Sequence, residues 1–206
     1  MHLKHLLITV MTVTSLSASA QIKKGSVFLG GNFFYANQTH HGSDARYTSV
    51  GLSPAIGKAI RDNVIAGIDI IYHNQQTTNF DTSKSTDQSI GAGLFIRKYM
   101  ALGKGFYLFG QARAGGSYIS VRNKMNDRPD GKGYSVNLSA YPGISFEVNR
   151  KLHLEAGLAN LFHLNYSQTS FTPYNENKYK NSAFSVGTSL SNGTSLTVGI
   201  RIFLAS

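Results

Sequence analysis

The side chains with the chemistry to bind or react are histidines, serines and carboxylates, and their spacing decides what they could do. His40, His41 and His73 are candidate metal ligands. Their spacing matches no ligand pattern, and no cysteine or carboxylate joins them in sequence. His40 and His41 fall in the first loop and His73 near the top of the third strand, and no metal and no cofactor are expected. His163 is followed by Asn165 and Ser167, the residue types of a base and nucleophile for acyl hydrolysis. Glu147 and Glu155 could act as an acid–base pair. Asp127-Arg-Pro-Asp130-Gly131 has carboxylates but not the regular oxygen spacing of a calcium loop, and reads as a turn. The 206-residue chain has no cysteine. That removes disulfides, thiolate metal sites, cysteine nucleophiles and a lipidated-cysteine anchor.

Whether any of these side chains meet depends on the elements that carry them. The stretch Thr194–Leu204 places Leu196, Val198, Ile200, Ile202 and Leu204 on alternate residues, with Thr197, Gly199, Arg201 and Phe203 between them. A strand sends alternate side chains to opposite faces, so one face is apolar and the other small, polar or charged. The same rhythm recurs in seven other segments: 25–37, 47–59, 64–76, 87–100, 106–121, 134–148 and 152–168. Ser182–Leu204 makes the eighth. Connections between them alternate long and short, with tight turns at Arg61-Asp-Asn63, Leu102-Gly-Lys-Gly105 and Asn149-Arg-Lys151. Asn192-Gly193 is a hairpin signal inside the last segment. Parity nevertheless continues from Phe184 and Val186 to Val198, so one long strand is favoured, and ten strands are the alternative to eight.

Residues 1–20 read as a cleaved export signal. A short basic start is followed by an apolar core, Leu6–Val13, and by the small-residue cleavage pattern Ala18-Ser-Ala20. The core is too short for a membrane-spanning helix, which takes about 20 apolar residues. Residues 21–206 then form one domain. The formal net charge of +10 would suit any polyanion, but export separates the chain from nucleic acid, and none is expected as a partner.

The face opposite the aliphatics decides the architecture. It carries Gly51, Gly57, Gly67, Gly91, Gly93, Gly115, Gly143, Gly157 and Gly199, interleaved with serines. Glycine weakens a strand and marks close packing, as in the interior of a narrow barrel whose side chains fill the lumen. Asp69, Arg97, Arg113, Glu147, Glu155 and Arg201 share this parity. A charge facing lipid at mid-membrane costs about 2–4 kcal/mol, so these six are expected inside as a structural charge network. Asp69, Arg97 and Arg113 group on neighbouring segments, as do Glu147, Glu155 and Arg201. Lys58 and Lys98 share the apolar parity but lie at the short-turn end, where they can reach headgroups. Tyr35, Tyr72, Tyr118 and Tyr134 at the loop ends, with Phe106 and Phe146 at the turn ends, form two aromatic girdles. The expected fold is all-β: an eight-stranded antiparallel up-and-down transmembrane β-barrel.

Signal peptide, alternating strands and the closing Val198-Gly-Ile-Arg-Ile-Phe203 resemble the outer-membrane protein β-barrel domain family, the small OmpA/OmpX-type barrels. Phe95-Ile-Arg-Lys-Tyr99 is similar to an aromatic/Arg/Tyr segment of that family. The chain departs from the common terminal aromatic, because Leu204-Ala-Ser206 follows Phe203. The resemblance implies a non-enzymatic, porin-like envelope protein of a Gram-negative outer membrane. It implies contact with outer-membrane lipid and lipopolysaccharide, insertion by the barrel-assembly machinery, and a monomer. Its expected role is envelope integrity or surface contact. Arg46, Lys84, Arg122, Lys124, Arg128, Lys132, Lys178 and Lys180 fall in the long connections, where they could meet polyanions. Two alternatives stand beside it. One is an enzyme acting on lipid A, although His163 faces the lumen by parity. The other is a soluble exported lipocalin-like barrel holding an apolar ligand.

Overall fold

The computed structural model describes residues 22–39, 46–78, 84–124, 130–158, 161–171, 178–188 and 196–204. The export segment, His40, His41, Asp127, Arg128 and Asn192-Gly193 lie outside the described residues. Ten strands form among the described residues: β1 (Val27–Thr39), β2 (Arg46–Arg61), β3 (Val64–Thr78), β4 (Lys84–Gly103), β5 (Phe106–Lys124), β6 (Gly131–Asn149), β7 (Leu152–Leu158), β8 (Phe162–Phe171), β9 (Tyr179–Thr188) and β10 (Leu196–Leu204). All pair antiparallel. β1 through β7 pair in chain order, β7 pairs with β10, and β10 returns to β1. β8 adds to the upper part of β6, and β9 adds to β8.

Where eight strands are expected, ten strand segments form among the described residues. The predicted segment 152–168 is β7 and β8, and the predicted 182–204 is β9 and β10. The physical reason lies in the register. Ala156 is opposite Ile144 and Phe162 is opposite Ala140, so the outgoing chain spends six residues where β6 spends four. Pro142 sits on β6 at that point, and a proline has no N–H to give the ladder. From Leu158 to Phe162 is four residues, whereas their partners Leu196 and Thr188 are eight apart. Both offsets are even, so apolar parity runs on through each break and alternation cannot reveal it.

At the three tight connections the chain turns with little waste. Asn63 has φ 59°, and Gly103, Lys104 and Gly105 have φ 92°, 52° and 79°, left-handed values that the two glycines reach because they lack a Cβ. Asn149 Oδ1 accepts from the backbone N–H of Lys151 (2.9 Å) and Leu152 (3.0 Å), bending the third turn. Each incoming strand shifts register just before its turn, at Ala59/Arg61, Ala101/Gly103 and Glu147/Asn149.

The pairing ladder also fixes the tilt. From Phe33, the register leads through Leu52, Tyr72, Ile90 and Tyr118 to Tyr134 on β6. In the other direction it leads through Val198 and Ala156 to Ile144 on the same strand. The ten-residue stagger between Tyr134 and Ile144 means the strands run obliquely, at about 35–45° to the axis of such a closed sheet.

Through the lower part of the sheet the two faces separate, whereas β9 is exposed on both faces at every residue but Gly187. Phe33, Leu52, Ile68, Leu94, Val136, Leu138, Ile144 and Val198 are all exposed, as are the girdle residues Tyr35, Tyr72, Tyr118, Tyr134, Phe106 and Phe146. The buried cluster instead lies inside, at the short-turn end: Phe28, Ile65, Phe95, Tyr99, Tyr107, Phe109 and Phe203. The segment before β1 closes that end. Ile22 N–H donates to Asn63 Oδ1 (3.0 Å), Asn63 N–H to the Ile22 carbonyl (2.9 Å), and Gly25 N–H to the Ala59 carbonyl (2.8 Å). Among the described residues no helix is long and apolar enough to cross a membrane, a statement that does not bear on strands.

Candidate functional site

The interior has two storeys. In the lower one, inward positions of β4, β7 and β10 bring Arg97, Glu155 and Arg201 together. Arg97 Nη1 lies 2.6 Å from Glu155 Oε2. Arg201 Nε stands 3.0 Å from the same oxygen, an ion-pair distance at which its N–H is not aligned for a hydrogen bond. Tyr99 Oη donates to Glu155 Oε1 at 2.6 Å, and Arg97 Nε to Gln111 Oε1 at 2.7 Å. Two guanidinium groups thus share one carboxylate. The rest of Arg201 is satisfied by the Gly31 carbonyl (2.5 Å), the Ile200 carbonyl (2.9 Å) and Asn32 Oδ1. Ring faces take the remainder: the Arg97 guanidinium lies 4.5 Å from the Phe109 centroid and 5.4 Å from Phe28, and Arg201 lies 5.7 Å from Phe28. A buried charge needs this pairing and hydrogen bonding to be tolerated.

Glycines let these long side chains lie flat against the wall. A Cβ on Gly199 would meet Arg201 Nη1 at 2.6 Å, and one on Gly93 would meet the Arg113 guanidinium carbon at 2.6 Å. Gly115 makes room for Arg113 in the same way, while Gly143 admits the Phe109 ring. His153, which sequence reasoning passed over, packs into the same storey. Its ring sits 4.7 Å from Phe203 and 5.4 Å from Tyr107, with Nδ1 3.2 Å from Ser145 Oγ. Its inward parity, shared with Glu155, is the signal that could have found it. Glu147, grouped with Glu155 and Arg201 by sequence, accepts from Tyr107 Oη at 2.9 Å.

The upper storey is built around the second pair. Arg113 Nη2 lies 2.8 Å from Asp69 Oδ1, and Arg113 Nε donates to both Asp69 oxygens. Arg113 Nη1 reaches Asn137 Oδ1 at 2.6 Å. The sequence grouping of Asp69, Arg97 and Arg113 therefore splits: Asp69 meets Arg113, and Arg97 crosses to Glu155. Above this pair lies a cavity of about 630 Å³, lined by Asn32, Phe34, Ser53, His73, Ser89, Ser117, Asn137, Ser139, Tyr141, His163, Asn165 and Ser185, among others. A lumen filled throughout is the expectation; among the described residues, small Ser and Gly side chains leave this space in the upper half.

The candidate reactive groups sort as follows. His163 lines the cavity, and its Nδ1 is buried without a hydrogen-bond partner among the described residues. Glu147 and Glu155 are held by different partners, Tyr107 and the Arg97–Arg201 pair. Ser49 Oγ lies 2.7 Å from His73 Nε2, the spacing of a nucleophile and base. Ser49 has no exposed surface, so nothing can approach it, and the bond ties β2 to β3. Among the described residues no three metal-ligating side chains gather. Arg46, Lys84, Arg122, Lys132, Lys178 and Lys180 are exposed at the long-connection end, and Lys124 closes β5 there. Lys58 and Lys98 are exposed near the opposite end.

Comparison with known proteins adds a family. A family model described as "Outer membrane protein beta-barrel domain" matches residues 6–191. No curated protein matches the chain. Among solved structures, a major outer membrane protein from Thermus thermophilus is similar at TM-score 0.50 and 7% identity, over 87% of this chain and 98% of that one. OprG from Pseudomonas aeruginosa is similar at TM-score 0.47 and 11% identity, over 91% and 99%. Neisserial surface protein A is similar at TM-score 0.40 and 15% identity, over 86% and 95%.

Proposed function

The chain belongs to the outer membrane protein beta-barrel domain family, and on that premise we propose that it is a non-enzymatic barrel crossing a Gram-negative outer membrane with eight strand passes. β7 with β8, and β9 with β10, each make one pass. The observation that carries this reading is the inversion of the two faces. A water-soluble barrel would not leave Leu94 66% and Val198 58% exposed while enclosing five side chains of charged type. In lipid the same arrangement is favourable, because charge on the lipid face costs about 2–4 kcal/mol at the midplane. Exposed tyrosines at one end and the Phe106–Phe146 pair (centroids 4.8 Å) at the other suit the two interfaces.

The short turns then face the periplasm and the basic strand ends face outward, where they meet lipopolysaccharide or another surface polyanion at about 1 kcal/mol per basic residue. Residues 1–20 are a cleaved signal peptide, insertion is by the assembly machinery, and the barrel works as a monomer in envelope integrity or surface contact. A carrier of apolar ligands would need an apolar interior, and this cavity mixes apolar side chains such as Phe34 and Ile71 with serines, asparagines and the Asp69–Arg113 ion pair. The test is membrane fractionation with gel mobility before and after boiling. The expected result is recovery with outer membranes and a mobility shift on heating. Recovery in the soluble fraction without detergent would reject the proposal.

A further inference from the structure

The upper cavity is a cup and not a channel, because the Arg97–Glu155–Arg201 cluster and the ring cluster of Phe28, Tyr99, Phe109 and Phe203 close it below. We propose that this cup is a binding site for a neutral saccharide. Its volume of about 630 Å³ falls within the 300–1,000 Å³ or so of small-molecule sites. Three features of the wall select the ligand class.

First, its charge is spent internally. Asp69 and Arg113 lie 2.8 Å apart and are charged partners of one another, so an ionic ligand finds no free counter-charge among the described lining residues. Second, the polar wall is hydroxyl and amide. Ser89, Ser117, Ser135, Ser139 and Asn165 line it, each a neutral group able to donate and accept. That mixed capacity matches sugar hydroxyls, which also do both. An apolar ligand would leave these groups unpaired, at about 1–3 kcal/mol each where buried. Third, Phe34 and Tyr141 add aromatic surface to the lining, suited to the C–H faces of a pyranose ring.

The test uses the full-length protein folded in dodecylphosphocholine, a detergent without a sugar headgroup, with heat-shifted gel mobility as the check of folding. Glucose, galactose, maltose and N-acetylglucosamine are titrated by saturation-transfer NMR. The expected result is transfer to ring protons of at least one sugar, weakened about tenfold or more by Ser139→Leu, which places an aliphatic chain in the cup. Asn165→Leu serves in the same way should Ser139→Leu lose its heat shift, and the exterior Leu94→Ala is expected to leave the signal unchanged. No transfer to any of the four from folded protein would mean that the cup holds water only, and would overturn the proposal. So would transfer that survives a folded cup-filling variant. A protein that never shows the heat shift would count against the membrane barrel itself, a separate failure.

Discussion

The lower and upper halves of the lumen share β1 to β6 and the same inward parity, with β7 and β10 completing the lower wall and β8 and β9 adding to the upper, yet they differ in what fills them. Below, inward positions carry long or aromatic side chains: Arg97, Tyr99, Tyr107, Phe109, Glu155, Arg201 and Phe203. Above, β4 and β5 carry Ser89 and Ser117, β6 carries Ser135 and Ser139, and β8 carries Asn165. The lower half is a packed interior held by shared charge, and the upper half is a space lined with polar groups that have little to do structurally. In one barrel, side-chain size decides what is wall and what is vessel. Stability is therefore expected to reside below, with tolerance above.

Glu155→Gln is expected to have the largest effect. It leaves Arg97 and Arg201 buried against each other without a carboxylate, and removing one partner of a buried ion pair costs about 3–5 kcal/mol. The check is the midpoint of urea unfolding in lipid vesicles. An effect below that of any upper-storey variant would reverse the comparison. Gly143→Val comes next, at about 1–3 kcal/mol, since a Cβ there would stand 2.6 Å from both the Ala156 carbonyl oxygen and a Phe109 ring carbon. Asp69→Asn sits at the boundary between storeys. It weakens charge-assisted bonds from Arg113 worth about 1.5–3 kcal/mol each, and the adjoining cavity lets water offset part of the loss. Its measured cost is expected to fall below that of Glu155→Gln in the same assay. Ser135→Ala, high in the cup and without a side-chain hydrogen bond, is expected to change stability by less than about 0.5 kcal/mol.

Much of this was legible because parity is a strong signal where one face is apolar. The tight turns at Asp62-Asn63, Gly103-Lys104-Gly105 and Arg150-Lys151 sit where composition placed them. The inward parity of Asp69, Arg97, Arg113, Glu155 and Arg201 followed from period two alone. What parity could not supply was depth across the barrel. Arg97 stands beside Ile65 and Gln111 in the ladder, so its meeting with Glu155 rather than Asp69 depends on tilt and on side-chain reach across the lumen. The breaks between β7 and β8 and between β9 and β10 were hidden for a related reason: even register offsets leave alternation intact. The cup was hidden because a run of serines states only that side chains are small, and not whether neighbours fill the space they leave.

The absence of cysteine makes the central claim directly measurable, since a single introduced thiol is the sole labelling site. Spin labels at Leu94→Cys and at Ser117→Cys, in protein reconstituted into lipid vesicles, compare the two faces at one stroke. The account predicts that the Leu94 label is relaxed by oxygen dissolved in lipid and shielded from a water-soluble nickel reagent, and that the Ser117 label shows the opposite. Nickel contact at Leu94 together with oxygen contact at Ser117 would turn the barrel inside out and contradict the account.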